Sequence, residues 1–270
     1  MSLATPETFS IATGSGRLHA QRWRPAQSEN GAPIVLLHDS LGCVALWRDL
    51  PSRLAQATGR SVIAYDRLGF GRSDPHPGRL DKTFVHAEAR EGFAALREAL
   101  TLERFVVFGH SVGGGMAVGC AAAYPDDCAA LITESAQAFV EDRTVAGIQA
   151  ARAAFAEPGQ LQRLSKYHGD KAAWVLSAWI DTWLADDFAH WSLDDDLRQV
   201  RCPVLALHGE LDEYGSHRHP ERIAALSAGP ATLRLLPGCG HVPHKEREAQ
   251  VLAMVERWLG DGYVLADDAA

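Results

Sequence analysis

Six continuous apolar runs punctuate the chain: 32–38 (APIVLLH), 61–66 (SVIAYD), 104–109 (RFVVFG), 129–133 (AALIT), 202–209 (CPVLALHG) and 231–237 (ATLRLLP). Short uninterrupted runs rich in Val, Ile and Leu suit strands buried on both faces. Between them lie amphipathic stretches with apolar positions at helical spacing, at 46–58, 84–100, 112–123, 219–227 and 247–259. The alternation predicts an α/β fold, a parallel sheet with helices on both sides. Ahead of it, 7–23 (ETFSIATGSGRLHAQRW) alternates polar and apolar residues around Gly14-Ser15-Gly16, which predicts an antiparallel hairpin at the sheet's edge.

The rhythm breaks once. Residues 136–199 carry helical stretches and no strand pattern, so we expect a core formed by 1–135 and 200–270 with a helical cap, 136–199, inserted between two strands. A helical insertion there can lie over the carboxyl ends of the strands, where open sheets bind ligands. The insertion holds Trp174, Trp179, Trp183 and Trp191, four of the seven tryptophans. Most of them are expected to pack the insertion onto the body, and one or two to line a pocket. The acidic end, 261–270, reads as disordered.

Composition narrows the function classes. A net charge of −8 and a pI near 5.8, with no basic arm or stripe, argue against a nucleic-acid partner. No apolar run reaches membrane-spanning length, and the N-terminus lacks the pattern of a signal peptide. The five cysteines (Cys43, Cys120, Cys128, Cys202, Cys239) are odd in number, scattered and free of any C-x-x-C pair. They predict reduced thiols in a cytoplasmic protein, not a disulfide frame or a metal site.

Candidate chemistry centres on Gly109-His110-Ser111-Val112-Gly113, a G-x-S-x-G between a strand-like and a helix-like run. A serine on such a turn is held with its hydroxyl above the sheet, and glycines allow the backbone to close around it. It lacks the Lys-Ser/Thr ending of a phosphate loop and the register of a dinucleotide fingerprint. The expected order on this architecture is Ser, then Asp or Glu, then His. His241, in Gly238-Cys239-Gly240-His241 past the last strand, is the candidate base. His244 is its competitor, expected to face solvent or cap the next helix. His38, His110 and His208, also near strand ends, read as loop histidines satisfied by backbone groups. Asp212, three residues beyond Gly209, is the candidate orienting acid, with Glu134, Glu210 and Glu213 as alternatives. The oxyanion donors are expected to be the N–H groups of Val112, at a helix N-terminus, and of Ser40, with Leu41 the near alternative.

Together these stretches resemble the α/β-hydrolase superfamily over nearly the whole chain: His38-Asp39-Ser40-Leu41-Gly42; Asp66-Arg67-Leu68-Gly69-Phe70-Gly71-Arg72-Ser73, similar to the D-x-x-G-x-G-x-S loop; the turn at Ser111; Gly209-Glu210-Leu211-Asp212; and Gly240-His241. The resemblance implies an eight-stranded, mostly parallel sheet with a helical cap, a Ser111–Asp212–His241 triad and no cofactor. A serine nucleophile sets the chain apart from the aspartate-using dehalogenases and epoxide hydrolases. Asp39-Ser40-Leu41-Gly42 with Trp47 resembles the enol-lactonase branch, and the cap resembles that of meta-cleavage-product hydrolases. Asp39 stands where the family usually has glycine, and a carboxylate there opposes an oxyanion unless it points away. The implied activity is hydrolysis of a small carboxylic ester or lactone through an acyl-enzyme. C–C bond hydrolysis or perhydrolysis by the same triad is the alternative chemistry; an acidic substrate would then call for a pocket arginine, with Arg143 and Arg152 the candidates. A non-catalytic ligand-binding role is the third reading.

Overall fold

The computed structural model describes residues 5–263, so the acidic tail from residue 264 on lies outside the described residues. The chain opens with the hairpin β1 (Glu7–Thr13) and β2 (Gly16–Trp23), followed by β3 (Ile34–Leu37), α1 (Leu50–Thr58), β4 (Val62–Tyr65), α2 (Phe84–Ala87), α3 (Gly92–Leu100), β5 (Phe105–His110), α4 (Val112–Ala123) and β6 (Cys128–Glu134). The insertion contributes α5 (Asp142–Phe155), α6 (Gln160–His168), α7 (Ala172–Trp183) and α8 (Asp194–Leu197). The chain then resumes with β7 (Val204–Gly209), α9 (Arg218–Leu226), β8 (Ala231–Leu236), α10 (Pro243–Glu246) and α11 (Glu248–Gly260).

The eight strands form one sheet in the order β1-β2-β4-β3-β5-β6-β7-β8. β2 pairs antiparallel with β1 and β4, and every other pairing is parallel. Side chains alternate across each strand, so each central strand feeds two cores. Ile34, Leu36, Val106 and Phe108 pack with Leu54 of α1 and with Val255 and Trp258 of α11. Val35, Leu37, Phe105 and Val107 pack on the opposite face with Phe93 and Leu96 of α3 and Val118 of α4. Burial on both sides is why these strands read as unbroken apolar runs.

Two elements depart from the sequence reading. β8 is the sheet's edge and is largely half-exposed, because it has a neighbour on one side alone. The single helix expected over 84–100 is two helices: Glu91, at φ −110° and ψ −94°, breaks the ladder. Just before that break, Glu88 Oε1 accepts the Tyr65 hydroxyl at 2.6 Å.

Parallel strands bring the ends of β3, β5, β6, β7 and β8 to one edge of the sheet. Ser40, Ser111, Gln137, Asp212 and His241 all lie in the loops that leave that edge.

Candidate active site

Ser111 sits between β5 and α4 with φ 55° and ψ −126°, a left-handed conformation that costs a non-glycine residue roughly 1–3 kcal/mol. The surroundings impose it. The Ser111 N–H donates to Glu134 O at 2.9 Å, and Gly114 N–H donates to Ser111 O at 2.8 Å. The turn also needs bare backbone on both flanks. A Cβ on Gly109 would lie 2.0 Å from Gly113 O, and one on Gly113 would lie 2.1 Å from Leu37 O. Both obstacles are main chain and cannot rotate away. Gly113→Ala is therefore expected to destabilise the fold by at least ~2 kcal/mol. Equilibrium denaturation reads this, and a midpoint equal to wild type would refute the close approach.

His241 and Asp212 meet across the ends of β7 and β8. His241 Nδ1 lies 2.9 and 2.8 Å from the two Asp212 carboxylate oxygens. A carboxylate can accept only, so Nδ1 carries the ring proton and Nε2 keeps its lone pair. Asp212 Oδ1 also accepts Tyr214 N–H at 2.8 Å and Gly215 N–H at 3.2 Å. Burial pushes the Asp212 carboxyl up, but the hydrogen bonds from His241 and from the Tyr214 N–H outweigh it and hold its pKa below the usual carboxylate value. Ser111 and His241 open onto one cavity of about 140 Å³. Across it, the Ser111 hydroxyl donates to Gln137 Oε1 at 3.3 Å.

Of the two expected oxyanion donors, Ser40 lines the Ser111 cavity, and Val112, next to Ser111 in the chain, lines a small neighbouring pocket. Neither the Ser40 N–H nor the Val112 N–H has an acceptor among the described residues. The Leu41 N–H is engaged: it donates to Asp39 Oδ1 at 2.8 Å, a local turn that the Asp39 side chain closes on its own loop. Asp39 O accepts Arg67 Nη2–H at 2.9 Å, which ties the same loop to the next one. Behind it, His110 Nδ1 lies 3.5 Å from Asp39 Oδ2, and His110 Nε2–H donates to His241 O at 2.9 Å. Burial opposes charge on both partners. The contact nevertheless holds the Asp39 carboxyl well below its usual range and raises the His110 imidazolium.

The alternatives are placed elsewhere. Glu134 is buried and pairs with His244 Nδ1, not with His241. His244, expected at the surface, is only 4% exposed, because that carboxylate draws its ring inward beside Trp47. Glu210 accepts the Gly238 N–H, and Glu213 is exposed. His38 Nδ1 lies 2.8 Å from Asp39 O, and His208 Nε2 lies 3.1 Å from Gly215 O, so both rings meet backbone groups. Arg143 and Arg152 are exposed, and Arg143 reaches Asp212 O from outside the cavity. Trp179 and Trp183 line the cavity. Trp191 packs on Phe188, and Trp174 packs on Phe70 and His76.

His110, Glu134 and His244 are the one cluster of metal-ligand side chains among the described residues, with one ligand atom from each lying within 4.8 Å of the others. His244 Nδ1 is already hydrogen-bonded to Glu134, and a metal would have to displace that proton.

Gln137 and Tyr214 were invisible to the sequence reading, as was the strap that holds the Asp212 loop to the insertion. In that strap His219 Nδ1 accepts Ala138 N–H at 3.1 Å, and its Nε2–H donates to Glu141 Oε1 at 3.0 Å. Glu141 Oε1 also accepts Ser216 N–H at 2.6 Å. Both ring nitrogens are used by a neutral imidazole. Burial, opposed by the Glu141 charge, lowers the His219 pKa from 6.5 to about 4. The folded value lies below the unfolded one, so the unfolded chain binds the extra proton between them. The strap's contribution is complete above pH 6.5 and is lost as the pH falls toward about 4. Glu88, pushed up to about 7 by burial, acts in the opposite sense, so the readout is a difference. The gap in thermal midpoint between wild type and His219→Gln is expected to be widest at neutral pH and to close on acidification. A constant gap would contradict this assignment.

Comparison with known proteins agrees with the architecture. A sequence model of the alpha/beta hydrolase fold matches residues 32–177. A proline iminopeptidase of Lactobacillus helveticus (strain DPC 4571) is 24% identical, over 84% of this chain and 89% of its own. The crystal structure of proline iminopeptidase from Mycobacterium smegmatis superposes with a TM-score of 0.72 at 22% identity, covering 94% of this chain and 98% of that one. A thermophilic esterase from Thermogutta terrifontis superposes at 0.68 with 20% identity, covering 96% and 100%. At these identities the structural likenesses speak for the fold alone. Among the described residues, no helix is long and apolar enough to cross a membrane.

Proposed function

The chain belongs to the α/β-hydrolase fold family, and from that premise we propose that it hydrolyses a small carboxylic ester or lactone through an acyl-enzyme on Ser111. The observation that carries the reading is the His241–Asp212 pair, its Nε2 lone pair free, with His241 sharing one cavity with a strained Ser111 and with Ser40, whose N–H is unpaired.

In the proposed reaction the Ser111 hydroxyl turns from Gln137 to His241 Nε2 and attacks the carbonyl as the ring takes its proton. Asp212 holds the tautomer and stabilises the imidazolium that forms. The Ser40 and Val112 N–H groups receive the oxyanion, each such donor being worth about 3 kcal/mol of barrier. His241 then protonates the leaving oxygen, and water attacks the acyl-enzyme by the same path in reverse.

Carbon–carbon hydrolysis of an acidic substrate is less well supported. Arg143 and Arg152, the two candidate arginines, are exposed and do not line the cavity; Arg67 reaches the small pocket beside it, not the cavity. The test is turnover of neutral aryl esters and lactones beside a diketone dienoate, with a fluorophosphonate probe reporting on Ser111. Faster turnover of the dienoate would overturn ester hydrolysis, and stable probe labelling without turnover of any substrate would return the chain to a binding role.

A further inference from the structure

The cavity above Ser111 has one fixed charge on its wall, and it is negative. Asp39 lines it with its side chain 27% exposed; Leu41 N–H donates to its Oδ1, and the buried His110 ring, its one ion-pair partner among the described residues, lies 3.5 Å from its Oδ2 outside the cavity lining. Arg67 does not line this cavity: it bonds Asp39 O, stacks on Phe70 at 4.1 Å, and opens onto a surface depression and onto a small neighbouring pocket that Ser40, Val112, Trp179 and Trp183 also line. The same cavity is also lined by aromatic side chains. Trp179 and Tyr214 meet edge to face at 5.9 Å, and Trp183 is fixed against Phe188 and Trp191. A carboxylate and aromatic rings lining one cavity are the groups that recognise an organic ammonium ion.

We propose that Asp39 is a specificity-determining residue, and that the substrate is an ester or lactone bearing a protonated amine. This rests on the reading of Ser111 as the nucleophile in the same cavity. Asp39 adjoins the Ser40 donor in the chain. On a neutral substrate its charge opposes the oxyanion forming there. On an amine-bearing substrate the ammonium lies against Asp39 and cancels that opposition. The gain is greater in the transition state than in the ground state, so it raises kcat as well as lowering KM. A carboxylated substrate meets the opposition twice, once on binding and once on reaction.

The test uses three aryl esters of equal acyl length, ending in an amine, a methyl or a carboxylate, at about pH 7.5 where amine and acid are both charged. The full chain is expected to favour the amino ester over the carboxylated one by at least about tenfold in kcat/KM, with the ratio falling at high salt. Asp39→Asn keeps an acceptor for Leu41 N–H and removes the charge, and it should compress the ratio to within about threefold. Equal rates for the two charged esters, or an Asp39→Asn enzyme that keeps the full preference, would overturn the proposal. Binding of hexylammonium against hexanoate, followed by tryptophan fluorescence of the wild-type protein, reads charge selection without turnover. Selective ammonium binding with no hydrolysis of even the neutral ester would uphold the role of Asp39 and sink the acyl-enzyme reading. If Asp39→Asn does not fold, the wild-type binding ratio decides, and stronger binding of hexanoate would end the proposal.

Discussion

Replacing Ser111 with alanine is expected to abolish labelling by a fluorophosphonate and to lower kcat for a neutral ester by on the order of 10⁴–10⁶-fold. The residual rate would come from the oxyanion donors and binding alone. The fold should survive, because the Ser111 side chain makes one long hydrogen bond, to Gln137 at 3.3 Å, and its backbone bonds to Glu134 and Gly114 remain. A companion variant separates chemistry from strain. Ser111→Gly loses the same activity but frees a backbone held at φ 55°, so it should melt above Ser111→Ala. An alanine variant that still labels and still turns over the ester would remove Ser111 from the mechanism.

The second large effect is at Asp212. Asp212→Asn is expected to cost on the order of 10⁴-fold in kcat with little change in fold. The reason lies in the hydrogen bonds around the carboxylate. Oδ1 accepts from Tyr214 and Gly215 N–H, so in the asparagine variant that position must remain the carbonyl oxygen. The amide NH₂ then faces His241 Nδ1, where Asp212 Oδ2 now stands at 2.8 Å. A donor there forces Nδ1 to become the acceptor and moves the ring proton to Nε2. The nitrogen facing the cavity can then no longer take a proton from Ser111. The loss should fall on kcat more than on KM, and probe labelling should slow in parallel. Activity within tenfold of wild type would show that Asp212 does not orient the base.

Much of this was legible along the chain. β3, β5 and β7 could be read because burial on both faces demands unbroken apolar runs. The β1–β2 hairpin could be read because one face is wetter and the pattern alternates. Ser111, Asp212 and His241 could be singled out as candidates because each follows a strand end in a loop whose composition limits the alternatives, and the structure brings Asp212 and His241 into contact. The edge strand β8 and the broken 84–100 helix were read less well, since sheet order and the Glu91 break leave no periodic mark. His244 was misjudged for the same kind of reason. Its partner Glu134 stands 110 residues away, and nothing near His244 in sequence announces a buried carboxylate.

By itself, then, the sequence determined the elements, their order and the side chains able to do covalent chemistry. These follow from local physics: apolar periodicity, the tight turn that glycine permits, and the reactivity of an alcohol, an acid and an imidazole. Only the tertiary structure decided which acid meets which ring, that Gln137 holds the Ser111 hydroxyl, and that Asp39 lines the Ser111 cavity while Arg67 lines the small pocket beside it. Those outcomes depend on distances between loops brought together by parallel strands, and parallel pairing joins segments whose separation along the chain carries no information about their separation in space.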